Sequence, residues 1–196
     1  MVTLYILVAI ILHIPLVQQT MGKTVAKAMA DKIGSKVTVG NIDLGMLNRI
    51  IIDDVVILDQ NGKEMLKAAR IAAKIDIVDL LEGKVNITSA QLFTPQLSLY
   101  KTAENEKTNF QFVLDSLASK DTTQGKPINL EVASFIMRHG SLAYDQYDKA
   151  RTSGKLNIYH IDLKNINIYA SLDALTPDSI IANVREFSLE EKSGLK

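Results

Sequence analysis

The residue types that most often carry chemistry are sparse in this chain and badly spaced for it. The sequence of 196 residues holds no cysteine and three histidines, His13, His139 and His160. Without Cys there is no thiolate nucleophile, no disulfide framework and no Cys-ligated zinc or iron–sulfur site. The histidines are far apart and form no H-x-x-x-H or H-E-x-x-H spacing, so no helix face presents two imidazoles to a metal. Gly22-Lys23-Thr24 matches the end of a phosphate loop, but Val17 stands where that loop needs its first glycine. Ser141 and Ser153 lie in no G-x-S-x-G elbow. The pairs Asp53-Asp54 and Glu190-Glu191 could be read as carboxylate dyads. Adjacent strand residues point to opposite faces, however, which suits a bulge or a solvated edge better than acid–base catalysis. Asn86-Ile87-Thr88 is a glycosylation sequon of a kind common by chance. The reading is therefore no enzyme, no cofactor and no metal site.

The elements that carry these residues say more. The chain has 22 basic and 22 acidic residues, and zero net charge argues against a nucleic-acid footprint. At 47% hydrophobic and 22% charged it is too apolar for disorder. No Asp, Glu, Lys or Arg precedes Lys23, and the run from Val2 to Val17 is almost wholly aliphatic. Leu4, Tyr5, Ile6, Leu7, Val8, Ile10, Ile11, Leu12, Ile14, Leu16 and Val17 are read as the apolar surface of an uncleaved membrane anchor over residues 1–19. Gln18 to Met21 offers no signal-peptidase site; a signal core and a buried helix are the competing readings. Met21, Val25, Met29 and Ile33 then recur every fourth residue, with Gly34 as a stop, predicting an amphipathic helix over 20–35.

From Lys36 onward the pattern is that of strands with an interruption. Apolar residues follow φ-x-φ-x-x-φ-x-φ in Val37, Val39, Ile42, Leu44, and again in Ile50, Ile52, Val55, Ile57. The spacing returns in Val85, Ile87, Ala90, Leu92 and in Leu130, Val132, Phe135, Met137. Two further copies are Ile161, Leu163, Ile166, Ile168 and Ala182, Val184, Phe187, Leu189. Plain alternation gives one apolar face, and the extra residue would flip the second half unless a β-bulge absorbs it. With a bulge, all four apolar side chains share a face and the strand bends. Asp59-Gln60-Asn61-Gly62 predicts a hairpin turn, and Arg138-His139-Gly140-Ser141 a second turn. Short helices are expected near 78–83 and over 108–119, the latter opened by a Thr108…Gln111 capping box. Roughly eight to ten strands then expose an apolar face that two or three short helices cannot cover. The fold class is mainly β: a curved antiparallel sheet forming an open groove or half-barrel, with a closed sandwich as the alternative.

Several segments in order resemble a known family. They are Ile14-Pro15-Leu16-Val17-Gln18, Gly34-Ser35-Lys36-Val37-Thr38-Val39-Gly40, Leu58-Asp59-Gln60-Asn61-Gly62-Lys63-Glu64-Met65-Leu66 and the turn over 78–83. Asn109-Phe110-Gln111-Phe112, Gly140-Ser141-Leu142-Ala143-Tyr144-Asp145 and Leu189-Glu190-Glu191-Lys192-Ser193-Gly194 complete the set. Together they resemble the N-terminal part of the AsmA-like superfamily, closest to the TamB-type translocation and assembly proteins in their Bacteroidota-like form. The resemblance implies a single-pass inner-membrane anchor and residues 36–196 as the start of a periplasmic β-groove, in a chain truncated at its C-terminus. It also implies phospholipid acyl chains as cargo, outer-membrane biogenesis as the purpose, and an outer-membrane barrel partner reached through a distal region beyond this chain. Lys23, Lys27 and Lys32 point the other way, because the positive-inside rule would leave the residues after the anchor in the cytoplasm. The apolar residues of the six sets become the expected groove lining, and a charge at Ile166 or Phe187 is expected to impair lipid transfer and spare the fold. The alternative function is a structural module for outer-membrane protein assembly that pairs with a partner through its sheet edges.

Overall fold

The computed structural model describes residues 15–45, 49–75, 85–118, 128–129, 133–152, 156–175 and 180–191. The predicted anchor up to Ile14, the expected helix at 78–83, and Leu130 and Val132 lie outside them. Among the described residues no helix is long and apolar enough to cross a membrane. Helix α1 (Pro15–Ile33) runs through the expected boundary between anchor and amphipathic helix, so Leu16 and Val17 belong to its first turn. It ends as expected: Gly34 takes φ +75° and donates to the Ala30 carbonyl at 2.8 Å.

The rest of the described chain is sheet, with one further helix. The strands are β1 (Val37–Thr38), β2 (Ile42–Gly45), β3 (Arg49–Leu58), β4 (Glu64–Ile75), β5 (Val85–Phe93) and β6 (Gln96–Lys101). Helix α2 (Gln111–Ala118) follows, then β7 (Ile128–Asn129), β8 (Ser134–Gln146), β9 (His160–Leu175) and β10 (Ile180–Glu191). The order across the sheet is β1-β3-β4-β5-β8-β9-β10. Strand β2 takes up the edge beside β3 where β1 stops, β6 continues the line of β5 between β4 and β8, and β7 adds a two-residue parallel ladder to β5.

The result is a curved mixed sheet and not the antiparallel one expected, because β5 and β6 both run parallel to β8. Parallel neighbours need a crossover of a dozen residues or more. The segment between β6 and β8 supplies it and carries α2. The expected second turn at Arg138–Ser141 is also corrected: β8 passes straight through these residues. The Asp59–Gly62 turn does form, with the Asp59 amide donating to Lys63 O at 2.7 Å and Gly62 at φ +78°.

What Arg138-His139-Gly140 does make is a bulge against β9, and His139 belongs to a line of left-handed residues. Four non-glycine residues have positive φ: Asp54, Thr94, His139 and Asn165. The pairs Asp53–Arg70 and Val55–Ala68 set Asp54 opposite Ala69. Arg70–Phe93 and Lys67–Gln96 then set Ala69 opposite Thr94. Phe93–Arg138 and Gln96–Ser141 in turn set Thr94 opposite His139. Asn165 follows beside the Gly140–Ile166 pair, where β8 and β9 change register. At the near edge Gly40 faces Asp54 so closely that a Cβ there would stand 3.1 Å from the Asp54 Cβ. The left-handed residues therefore form one crease across the sheet, perpendicular to its strands. Two of them are the second residue of an x-x step, in Ile52-Asp53-Asp54-Val55 and Leu163-Lys164-Asn165-Ile166, whereas Thr94 and His139 follow the third and fourth sets. A left-handed residue kinks its strand, and kinks aligned in neighbouring strands bend the whole sheet along one axis. Other bulges lie off this line, in β5 beside Thr88 and in β10 at Arg185.

Thr94 is the most strained member, since a β-branched residue is a poor fit to the left-handed region. Thr94→Gly is expected to raise stability by about 0.5–1 kcal/mol, the relief of strain exceeding the entropy cost of glycine. A urea titration checks this, and a lower midpoint would mean that the Thr94 side chain contributes more than its backbone costs.

Candidate functional site

Because residues in register share a face, the pairings spell out what each face presents. One row crosses the sheet as Ile42, Ile52, Ile71, Leu92, Met137, Ile168 and Phe187, each paired with the next. The neighbouring row is Leu44, Ile50, Ala73, Ala90, Phe135, Ala170 and Val184. Beyond the crease a third row runs Val37, Ile57, Leu66, Leu97, Leu142 and Leu163. Val55 with Ala68, and Gly140 with Ile166, fill the space between, and Leu99, Tyr144 and Ile161 make an outer row. The apolar rows thus run along the crease and across the strands.

Both sides of the crease address the same core. Met29, Ala30 and Ile33 of α1, with Phe110, Phe112 and Val113 at α2, pack on Val37, Val39, Ile52, Val55, Ile57, Met65, Leu66, Ile71 and Leu99. Ile52 lies before Asp54 and Val55 after it, so the left-handed Asp54 keeps the face constant with the β3–β4 register unbroken, where the spacing predicts a bulge. The opposite face is mixed: Ile51, Ala72, Gln91, Ile136 and Tyr169 form one row, and Arg70 Nε lies 2.6 Å from Asp53 Oδ1 in the next.

Exposure along the rows is graded. At the β1–β3 end Ile42, Val55 and Ile57 are buried. Leu92, Met137, Phe135, Leu163, Ile161 and Ile168 are partly exposed. On β10 Val184 and Phe187 are 54% and 56% exposed, with Leu189 partly covered. Among the described residues α1 and α2 cover only the first strands, and no described element packs over β8 to β10. Ile87 pairs with Ile75, and Val85 pairs with Ile128 at the far end of β5. One expected lining residue is placed differently: Ile166 is 6% exposed against Gly140, so a charge there would attack the fold. The sequence reading expected a strand after the Asp59–Gly62 turn but missed that its Leu66, Ala68, Ile71 and Ala73 carry the same spacing. Two alanines made its apolar signal faint.

The densest polar cluster sits at the hairpin end and is structural. Asp59 is 3% exposed and accepts from the Asn61 amide at 2.8 Å, the Lys63 amide at 2.9 Å, Tyr100 Oη at 2.7 Å and Asn109 Nδ2 at 3.4 Å. Burial pushes its carboxyl up, but the bonds from Tyr100, Lys63, Asn109 and Asn61 together outweigh this and hold it below the usual carboxylate value. Tyr100 stacks on Tyr147 with centroids 5.2 Å apart, and Lys63 Nζ lies 4.9 Å from the Tyr100 ring. A hollow of about 350 Å³ opens beside it, walled by Tyr100, Asn109, Phe112 and the Lys107–Asp115 ion pair.

The histidines stand apart here too. His160 has Nδ1 2.8 Å from Asp145 and Nε2 2.9 Å from the Lys149 carbonyl, clasping the β8–β9 connection, whereas His139 is an exposed crease residue. Among the described residues no group of His, Asp or Glu is placed to hold a metal ion. What the arrangement offers is an apolar surface in parallel rows. Neither a scan against protein-family models nor a search of curated proteins finds a match to this chain.

Proposed function

We propose that this chain is a membrane-anchored β-groove protein that shields acyl chains during phospholipid transport between inner and outer membranes, in support of outer-membrane biogenesis. The observation that carries the reading is the row from Ile42 to Phe187, apolar at every strand it crosses and half-exposed at its last. Its axis follows the crease, so a chain lying in the bend would meet only hydrocarbon. The sequence resemblance to AsmA-like, TamB-type proteins supports the same reading, with residues 1–19 as the inner-membrane anchor and the β-rich part in the periplasm. No chemical step is involved. Moving an acyl chain through water costs about 0.8 kcal/mol per CH₂, and a continuous apolar lane removes most of that barrier.

The test is native lipid mass spectrometry on the full chain, since α1 is part of the core and cannot be removed without exposing it. Near-stoichiometric phospholipid is the expected result. Phe187→Asp should change stability by no more than about 0.5 kcal/mol, because the side chain is half-exposed. It should cut bound lipid by about tenfold, because a carboxylate against acyl chains loses its hydration. A folded, lipid-free wild-type protein would overturn the proposal. A second reading, a module that pairs with a partner chain by sheet augmentation, draws on the exposed Ile181 and Val184 of β10, which pairs among the described residues with β9 alone. That reading would then lead.

A further inference from the structure

We infer that the lane has a blind end. This rests on the lipid-groove reading and adds where lipid can and cannot lie. Helices α1 and α2 sit on the apolar face over β1, β3, β4 and β6 and cover it with Ile33, Phe110 and Val113. Those strands contribute to the same rows in which Leu92, Phe135, Met137 and Ile168 stay partly exposed and Val184 and Phe187 are exposed, with Ala170 buried among them. The helices therefore occupy the place that acyl chain would take if the lane were open from end to end.

This stopper is fixed and does not swing like a lid. Asn109, just before α2, is stitched to β6 on three sides. Its amide donates to Tyr100 O at 3.0 Å, its Oδ1 accepts from the Tyr100 amide at 3.0 Å, and its Nδ2 donates to Ser98 O at 3.0 Å. The same Nδ2 reaches the buried Asp59 carboxylate. Farther along α2, Ser116 Oγ donates to Lys32 O and ties the two helices together. Opening the blind end would break these bonds and expose Val55 and Ile57, both buried. Lipid then enters from the β10 side and stops at β5. Three strand spacings of about 4.8 Å separate β5 from β10, an uncovered length of about 14 Å. One acyl chain needs about 15 Å, half of the hydrocarbon core of a bilayer. The uncovered part from β5 to β10 is thus long enough for one acyl chain.

Photo-crosslinking tests the inference with aromatic-for-aromatic replacements. The full chain carries benzoylphenylalanine in place of Phe110, Phe135 or Phe187 and is incubated with vesicles of radiolabelled phosphatidylethanolamine and phosphatidylglycerol. The expected result is labelled adduct at Phe135 and Phe187 and loss of it at Phe110. Adduct at all three positions would overturn the blind end and leave the lipid-groove reading standing. Adduct at none would overturn the lipid-groove reading, and the blind end with it.

Discussion

Asp59→Ala is expected to lower the stability of this protein by about 3 kcal/mol, although the residue touches no apolar row. The substitution removes one buried acceptor and leaves four donors facing a gap: two turn amides, Tyr100 Oη and Asn109 Nδ2. Bonds to a charged group are worth about 1.5–3 kcal/mol each, and buried donors without partners cost about 1–3 kcal/mol. Asn109 Nδ2 keeps Ser98 O as an acceptor, which holds the total below the simple sum. Asp59→Asn should lose about half as much, because an amide oxygen still serves the turn. The pH dependence has a definite sign. The folded carboxyl lies below its unfolded value, so its stabilisation is complete above the unfolded value of about 3.9 and is lost as pH falls through the folded one. The wild-type advantage over Asp59→Ala in urea midpoint should therefore be full at neutral pH and shrink in acid below about pH 4. Equal midpoints at neutral pH would mean that the cluster is not stabilising.

Val55→Asp is expected to abolish folding, whereas the same chemical change at Phe187 is expected to spare it. The two positions lie on one face of one sheet, yet Val55 is 0% exposed beneath the helices and Phe187 is 56% exposed. An unpaired carboxylate at Val55 finds neither water nor a cation, and several kcal/mol of desolvation consumes a margin that is only about 5–15 kcal/mol in most domains. Circular dichroism and the soluble fraction of the expressed protein measure this. A Val55→Asp protein with wild-type melting would show that the helices do not seal this end, and the closed core under α1 and α2 would have to be abandoned.

The local devices of this fold were legible in the sequence because their causes are local. Gly34 stops α1 since glycine takes φ +75° without a steric cost, and Asp59 to Gly62 turns the chain for the same kind of reason. The x-x step in the apolar spacing announced an irregularity: Asn165 lies at a register shift, and Asp54 takes positive φ with the β3–β4 register unbroken. Membership of the apolar face was legible too, in every set that the described residues reach, since pleat and bulge are the only rules needed.

Other features depend on partners distant in sequence. Nothing within β5 or β8 says that they run parallel; that follows from a crossover long enough to hold α2. His139 and Gly140 read as a turn because the same residues suit a turn and a bulge; Pro95 between β5 and β6, which accepts from the Ser141 amide, and Asn167 of β9, which accepts from the His139 amide, decide between them. The alignment of Asp54, Thr94, His139 and Asn165 into one crease is a property of register, which no single strand carries. So is the difference between Val55 and Phe187. Periodicity assigns both to the apolar face, and only the placement of α1 and α2 over one end makes the first a core residue and leaves the second half-exposed.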